Sequence, residues 1–212
     1  MAQAPDRFVM RRALIAAALV GAAAPALAAP RPVVTILGDS ITAGLGLPAA
    51  QALPAQLAAA LARLGAPALV RGAGVSGDTA ADGLARLDFS VQADTAICVV
   101  ALGGNDILQG LDPKSTRASL DAIVRRLTAR KIGVVLAGLS APPAVGADYA
   151  RDFAAIFPAI AHAQHVALYP DLLAGVGPAL RQGDGLHPNA AGVRIIAAGL
   201  APIVARALRA HR

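Results

Sequence analysis

Short apolar runs rich in β-branched residues alternate with longer amphipathic stretches along this chain. The runs that predict β-strands are 33–37, 68–71, 95–102, 132–136 and 166–169. Helical spacing of apolar side chains, with capping residues, predicts helices over 49–64, 79–87, 115–130, 148–163 and from the Asn189 cap to residue 210. Strands that alternate with crossover helices form a parallel sheet covered on both sides. The pattern therefore predicts an α/β protein: a single-domain three-layer α/β/α sandwich with a parallel sheet of about five strands.

The N-terminal segment is predicted to be an export signal and not part of the fold. Basic residues, including a pair of arginines, precede an apolar stretch over 13–24, and small residues continue to a cleavage site after Ala28. This is the plan of a secretory signal, and the paired arginines also suggest the twin-arginine type. An uncleaved amphipathic anchor is the alternative. We predict a signal peptide over 1–28, one domain over 29–212, and a periplasmic or secreted protein without a stable membrane anchor after cleavage.

Charge and residue types exclude several classes of function. The formal net charge is +6, but the basic residues are spread along the chain with only four Phe, two Tyr and no Trp, which is unlike a nucleic-acid surface. All 13 acidic residues are aspartates, so the zinc-binding H-E-x-x-H helix is impossible. Cys98, the only cysteine, is predicted to be a buried, inert thiol. We expect no metal, no cofactor, no nucleic-acid partner, and a monomer.

Four short polar segments within this apolar pattern supply the groups needed to attack an ester. They are Gly38-Asp39-Ser40, Ser76-Gly77-Asp78, Gly103-Gly104-Asn105-Asp106 and Asp184-Gly185-Leu186-His187. The first three lie just beyond predicted strands, and open parallel sheets place their sites at the carboxyl ends of the strands. We therefore expect these turns to deliver their polar groups to one crevice.

Ser40, His187 and Asp184 provide a nucleophile, its base and a group that orients the base. Serine is a weak nucleophile until a neighbouring base takes its proton. His187 is the best base among the four histidines, because Asp184 lies three residues earlier in a loop and can reach Nδ1, leaving Nε2 for the serine. An imidazole, with an ordinary pKa of about 6.5, can accept and return a proton near neutral pH.

An oxyanion intermediate needs hydrogen-bond donors, and three are predicted: the backbone N–H groups of Ser40 and Gly77 and the side-chain amide of Asn105. A glycine lets a backbone amide approach a ligand closely, and a neutral amide donates where a carboxylate would repel. Each segment taken alone is also compatible with an ordinary turn or helix cap. The aspartate in each of the first three segments is predicted to hold its loop by accepting from backbone amides.

Residues 72–77 also match the G-x-G-x-x-G fingerprint of dinucleotide-binding proteins. They follow the second strand, however, and Asp94 begins the third strand, whereas the fingerprint places its acidic residue at the end of that strand. Nucleotide binding is therefore the weaker interpretation. The α/β-hydrolase elbow G-x-S-x-G is not matched, because the segment around Ser40 lacks the second glycine and follows the first strand.

The four segments, in this order, resemble the consensus blocks of the SGNH hydrolases, also called the GDSL lipase/esterase family. The longer phrases 36–40, 75–79 and 102–106 resemble its bacterial periplasmic thioesterase/arylesterase/lysophospholipase branch. The resemblance spans nearly the whole chain after residue 28 and implies a flavodoxin-like fold. It also implies a catalytic triad of Ser40, Asp184 and His187, with an oxyanion hole of Ser40, Gly77 and Asn105.

The predicted function is an exported serine esterase that hydrolyses a small-molecule acyl ester or thioester through an acyl-enzyme. Apolar residues after the Asn105 segment and in the loop 139–146 are predicted to line a groove for short or medium acyl chains. These residues are Ile107, Leu108, Leu111, Leu139, Pro142 and Val145. The chain departs from the branch in this proline-rich loop and at Ala73-Gly74, which concerns substrate preference. The alternatives are a carbohydrate O-deacetylase, which the absence of tryptophan disfavours, and a non-catalytic binding protein.

Overall fold

The computed structural model describes Met1 and residues 31–211. Within this part of the chain the strands form one sheet in which every neighbouring pair is parallel. They are β1 (Val33–Gly38), β2 (Leu69–Gly74), β3 (Thr95–Ala101), β4 (Gly133–Ala137) and β5 (Ala167–Tyr169). Their order, β2-β1-β3-β4-β5, is the flavodoxin-like order. The predicted parallel sheet is confirmed, and the predicted signal peptide, apart from Met1, lies outside the described residues.

Helices cover both faces of this sheet. The α-helices among the described residues are α1 (Ser40–Ala43), α2 (Leu53–Arg63), α3 (Ala80–Ala85), α4 (Leu87–Ser90), α5 (Gly104–Leu108), α6 (Pro113–Ala129), α7 (Ala147–Ala154), α8 (Ile156–Ala163) and α9 (Ala190–Ala210). On one face α2 packs against α9, which crosses β3, β4 and β5. On the other face α6 packs against α3 and α8 and covers β4. The predicted three-layer α/β/α arrangement is therefore confirmed.

The central strands β1 and β3 form the middle of the hydrophobic core. Both of their faces are covered, so nearly every side chain along them is buried. Ile36 and Val99, for example, have no exposed surface, and each such aliphatic side chain contributes about 1.5–3 kcal/mol to stability. Cys98 lies in this core as predicted, and burial raises the pKa of its thiol to about 12. The thiol therefore stays protonated and unreactive.

Gly72 and Gly74, the first two glycines of the fingerprint, have a packing role at the edge of the sheet. β2 extends beyond the predicted strand and pairs with β1 as far as Gly74 opposite Gly38. A Cβ at Gly72 would lie 2.8 Å from the ring of Pro54 in α2, and a Cβ at Gly74 would collide with the backbone of α1. These glycines therefore let both helices lie directly on β2. Packing therefore explains why these two positions are glycines, and a bound dinucleotide is not needed to explain them.

Two prolines divide helices that the apolar periodicity predicts as continuous. The predicted helix 49–64 is a 3₁₀ turn followed by α2, and Pro54 lies at the start of α2. The predicted helix 148–163 consists of α7 and α8, and Pro158 lies in the first turn of α8. Proline has no N–H to donate to the carbonyl four residues earlier, and its ring clashes with that carbonyl. A new helix therefore starts just before each proline.

The last helix, α9, is the one helix among the described residues that is long and apolar enough, by length and composition, to cross a membrane. Half of its apolar window is buried, and it packs on the sheet and on α2. Asn189 caps it as predicted, because Oδ1 accepts from the N–H groups of Ala191 (3.0 Å) and Gly192 (3.1 Å). The apolar composition of α9 is therefore explained by its position as a core helix of the sandwich.

Candidate active site

The four polar segments meet at the edge formed by the carboxyl ends of the strands. Ser40 begins α1 two residues after the end of β1, Gly77 lies in the turn after β2, and Asn105 lies in α5 just after β3. The fourth segment, 184–187, belongs to the long connection between β5 and α9 and reaches the same edge. Connections that are far apart in the sequence therefore form one crevice.

Ser40, His187 and Asp184 form an unbroken chain of hydrogen bonds. Ser40 Oγ lies 2.8 Å from Nε2 of His187, and Nδ1 of the same ring lies 2.6 Å from Oδ2 of Asp184. The serine and the histidine are 147 residues apart in the sequence, so only the fold brings them together. The structure thus joins the three side chains that sequence reasoning selected.

The second oxygen of Asp184 holds its carboxylate in place. Oδ1 accepts from the backbone N–H groups of Leu186 (2.8 Å) and His187 (3.0 Å). The hydrogen bond from the His187 ring, together with these backbone donors, lowers the pKa of Asp184 from 3.8 to about 2. At neutral pH the carboxylate is therefore ionised and accepts from Nδ1–H, which leaves the Nε2 lone pair facing the Ser40 hydroxyl.

A tight turn presents the Ser40 hydroxyl at the start of α1. As predicted, Asp39 holds this turn: its Oδ1 accepts from the Ile41 N–H at 3.0 Å and caps the helix. Gly38 precedes the turn because a Cβ there would lie 2.9 Å from the carbonyl oxygen of Ala101 in the neighbouring strand. Capping and close packing therefore determine where the hydroxyl lies.

The three predicted oxyanion donors line one cleft. In the part of the chain that the structure describes, the backbone N–H groups of Ser40 and Gly77 donate to no acceptor. One N–H of the Asn105 amide donates to the Asp78 carbonyl at 2.8 Å, which leaves its second N–H available. Gly77 has a φ of 92°, and a Cβ there would meet no protein atom within 4 Å. The backbone conformation is therefore one reason for a glycine at position 77. The close approach of a ligand, expected from the sequence, is a second reason.

Asp78 and Asp106 hold their loops through different kinds of contact. The buried carboxylate of Asp106 accepts from the Ala80 N–H at 2.9 Å and from the Thr116 hydroxyl at 2.8 Å. It thereby ties α5 to the starts of α3 and α6, in line with the predicted role. The carboxylate of Asp78 differs from the prediction, because it accepts from the guanidinium of Arg86 and from no backbone amide among the described residues.

A cleft of about 680 Å³ lies beside Ser40 and His187. Five of the six residues predicted to form an acyl groove line it. These five are Ile107, Leu108, Leu139, Pro142 and Val145. A cleft of this size with apolar walls and a few polar groups is typical of a small-molecule site.

Leu111, the sixth predicted groove residue, is not among the residues that line the cleft. α5 ends at Leu108, and the chain turns at Gly110, whose φ is 64°. The Leu111 N–H then donates to the Asp106 carbonyl, and its own carbonyl accepts from the Tyr149 hydroxyl at 2.9 Å. Leu111 therefore belongs to a turn that holds α5 close to α7.

The cleft also has lining residues that sequence reasoning did not predict. They include Leu45, Asp171, Leu173, Arg181 and Leu186. Leu186 has a local signal because it directly precedes His187, whereas the loops of the others carry no motif. The Gln182 amide joins two of these loops by donating to the carbonyls of Leu45 (2.8 Å) and Pro188 (3.0 Å). Within the described residues, no group of three or more His, Cys, Asp or Glu side chains is arranged to hold a metal ion.

Asp39 has the raised pKa in this site. Asp39 directly precedes Ser40, and the residue is only 4% exposed. Burial raises its pKa from 3.8 to about 6, although the Ile41 N–H and the positive charge of a protonated His187 oppose the shift. Between these two pH values the folded protein holds a proton that the unfolded chain has released. The free energy of unfolding is therefore expected to fall as the pH rises from about 4 to about 6.

Asp39→Asn is expected to remove this pH dependence. Asparagine keeps an oxygen for the Ile41 N–H but cannot ionise, so the variant should be more stable than the wild type by up to about 3 kcal/mol at pH 8 and equal to it near pH 4. Urea unfolding across this range measures the difference. The control is Asp148→Asn at an exposed site on α7, which should change the free energy of unfolding by less than about 0.5 kcal/mol at either pH. A difference for Asp39→Asn that is independent of pH would contradict the raised pKa.

Known proteins resemble this chain over most of its length. The model of the GDSL-like Lipase/Acylhydrolase family matches residues 36–195. Esterase TesA of Pseudomonas aeruginosa is 38% identical over 156 residues, which cover 72% of this chain and 78% of that protein. Thioesterase 1/protease 1/lysophospholipase L1 of Escherichia coli strain K12 is 36% identical over 157 residues, which cover 73% of this chain and 74% of that protein.

Solved structures agree with the sequence matches. The crystal structure of AlinE4, a SGNH-hydrolase family esterase, has 41% sequence identity and a TM-score of 0.71, and the match covers 84% of this chain and 96% of that one. The family match spans most of the chain and includes the Ser40, Gly77 and Asn105 segments as well as 184–187. This chain therefore belongs to the GDSL-like lipase/acylhydrolase family, has the SGNH hydrolase fold, and is a carboxylic ester hydrolase.

Proposed function

We propose that this protein is an exported serine esterase that hydrolyses acyl esters or thioesters through a Ser40–His187–Asp184 triad. The observation that carries the proposal is the unbroken hydrogen-bonded chain from Ser40 Oγ through His187 to Asp184 beside an apolar cleft. Export is supported by the pattern of basic, apolar and small residues over 1–28. Serine catalysis also needs no metal ion or organic cofactor.

In the first half of the reaction, Nε2 of His187 takes the proton from Ser40 Oγ as the oxygen attacks the acyl carbonyl carbon. The carbonyl π electrons move onto oxygen and form a tetrahedral oxyanion, while the ionised Asp184 stabilises the imidazolium. The intermediate then collapses and expels the alcohol or thiol, which takes the proton from Nε2. The acyl group remains esterified to Ser40.

In the second half, His187 removes a proton from a water molecule, and the resulting hydroxide attacks the acyl-serine carbonyl. Collapse of the second tetrahedral intermediate releases the carboxylic acid, and Ser40 Oγ regains its proton from Nε2. Both oxyanions would be bound by the N–H groups of Ser40 and Gly77 and by the free N–H of Asn105. Loss of one such donor typically lowers the rate by about 10²–10³-fold.

The acyl chain is proposed to lie along the wall formed by α5 and the loop 139–146. This wall is apolar, and its residues Leu108 and Val145 are partly exposed at the mouth of the cleft. Each methylene that leaves water for such a surface contributes about 0.8 kcal/mol, or roughly a fourfold gain in affinity. The cleft is open and limited in volume, so this gain should stop after a short or medium chain.

A ladder of p-nitrophenyl esters and matching thioesters, from acetyl to dodecanoyl, tests this function. We expect kcat/KM to rise about fourfold per methylene and then level off once the cleft is filled. Leu108→Ala should flatten the rise, whereas Leu111→Ala, the matched control just outside the cleft, should leave the profile unchanged. Highest activity on acetyl esters, together with release of acetate from acetylated xylan, would instead support carbohydrate deacetylation.

A further inference from the structure

The guanidinium of Arg86 contacts two strand ends and one turn beside the active site. Arg86 lies between α3 and α4, and its Nε donates to Oδ2 of Asp78 at 2.5 Å. Nη2 donates to the carbonyl of Gly38 at 2.8 Å, and Nη1 donates to the carbonyl of Ala73 at 2.9 Å and to the hydroxyl of Ser90 at 2.9 Å. One side chain thus joins the end of β1, the end of β2 and the turn after β2.

Two of these contacts, those with Gly38 and Asp78, lie within two residues of a proposed oxyanion donor. Gly38 is two residues before Ser40, and Asp78 directly follows Gly77. The Asp78 carbonyl also accepts from the Asn105 amide at 2.8 Å and thereby orients the third donor. The position of Asp78 therefore affects both the Gly77 N–H and the Asn105 N–H, and Arg86 holds Asp78.

We propose that Arg86 is a positioning residue that sets the geometry of the oxyanion hole through Asp78 and Gly38. The inference rests on the proposed function, because it assumes that the N–H groups near Ser40 bind an oxyanion. Arg86 touches no reacting atom. It acts by fixing the distance between donors that belong to separate loops.

The chemistry of arginine suits this role. The guanidinium presents five donors in a planar fork, and four of its hydrogen bonds are used here on a carboxylate, two carbonyls and a hydroxyl. The side chains of Arg86 and Asp78 are only 20% and 12% exposed, so water competes weakly for these bonds. Because Asp78 neutralises the guanidinium, we expect the pair to act through geometry and not through a net charge near the oxyanion.

Few other bonds restrain the turn that carries Gly77. The Asp78 N–H donates to the Val75 carbonyl at 3.2 Å, and the Val75 N–H donates to the Gly38 carbonyl at 3.1 Å. The left-handed φ of Gly77 gives this turn a residue with much conformational freedom. Without the guanidinium, the turn and the Asn105 amide are expected to move relative to Ser40.

The test compares Arg86→Lys, Arg86→Gln and Asp78→Asn in the full-length protein, with p-nitrophenyl butyrate as substrate. Lysine keeps the charge but cannot reach Asp78, Gly38 and Ala73 together. We expect kcat to fall about 10–100-fold, since misplacement by about 1 Å can cost 10²-fold, while KM changes by less than about threefold because the apolar cleft is intact. The affinity for phenylboronic acid, which forms a tetrahedral adduct with serine, should fall by the same factor as kcat/KM.

The matched control is Arg71→Lys. Arg71, on the edge strand β2, makes a two-pronged pair with Asp94 (2.9 Å for each bond), but this pair is more exposed than the Arg86–Asp78 pair and touches none of the four segments. The Arg71→Lys variant should therefore keep kcat and the affinity for phenylboronic acid within about twofold of the wild-type values. The double variant Arg86→Gln/Asp78→Asn should be no slower than the slower single variant, because both changes remove the same restraint.

The outcomes separate this proposal from the proposed function. If Ser40→Ala is inactive but folded Arg86 and Asp78 variants keep kcat within twofold, the positioning role is wrong and the esterase stands. If the variants lose kcat but bind phenylboronic acid as the wild type does, the role in the oxyanion hole is also wrong. Circular dichroism and thermal unfolding verify that each variant is folded at the assay temperature. Should Arg86→Gln fail to fold, Asp78→Asn and Arg86→Lys carry the same comparison.

Discussion

Ser40→Ala is expected to lower kcat on p-nitrophenyl butyrate by about 10⁴-fold or more, because alanine offers no oxygen for the acyl-enzyme. Any residual rate would come from binding and from the oxyanion donors alone. The side chain lost is a single hydroxyl beside the cleft, so the free energy of unfolding should change by less than about 1 kcal/mol. Steady-state kinetics and thermal unfolding of the same preparation measure both quantities.

A fluorophosphonate probe provides an independent readout of the same residue. It should label the wild type in proportion to active sites and should leave Ser40→Ala unlabelled. Ser140→Ala is the matched control, because Ser140 also lines the cleft but does not contact His187. If Ser40→Ala retained more than about 1% of the activity, the assigned nucleophile would be wrong. If the wild type were neither labelled nor active, the protein would be a non-catalytic member of the family.

Asp184→Asn is expected to reduce kcat by about 10³–10⁴-fold while leaving the fold intact. Oδ1 of the native aspartate already accepts two backbone N–H groups, so the asparagine oxygen will occupy that position and its NH₂ will face the His187 ring. An NH₂ group cannot accept from Nδ1–H. The ring will therefore carry its proton on Nε2 and lose the lone pair that accepts from Ser40.

Two comparisons test this explanation. Asp171→Asn changes another aspartate of the cleft, one that makes no hydrogen bond to His187, and should keep kcat within about threefold. Because the pKa of Asp184 is about 2, the wild type should also show no loss of activity from protonation of Asp184 at any pH above about 4. A folded Asp184→Asn enzyme with kcat within tenfold of the wild type would contradict the orienting role.

The parallel sheet could be predicted from local pattern alone. A strand such as 95–102 is apolar at every position after Thr95, which is typical of strands covered on both faces, and the helical stretches between strands impose parallel crossovers. The same reasoning predicted that Ser40, Gly77 and Asn105 share one edge. The breaks at Pro54 and Pro158 and the length of β2 were not predicted. Apolar spacing continues across a proline, and β2 extends because it pairs with β1.

Helical spacing in the sequence predicted one residue of the cleft wall incorrectly. Leu108 and Leu111 are three residues apart, as on one helical face, but α5 ends after Leu108 and only Leu108 lines the cleft. Arg86 was not singled out at all, because no motif marks it. Its role is visible only from its contacts with Gly38 and Asp78, which lie 48 and 8 residues away in the sequence.

The residue types, their order and most of the local elements follow from the amino-acid sequence, since helix periodicity, strand composition and turn chemistry act over a few neighbouring residues. Tertiary structure alone decides that the Ser40 hydroxyl lies 2.8 Å from His187, that burial holds the Asp39 pKa near 6, and that Arg86 joins the ends of β1 and β2 to the turn after β2. Those properties depend on which atoms meet across the sheet edge and on how much water they exclude. Neither these contacts nor the exclusion of water is determined by residues that are neighbours in the sequence.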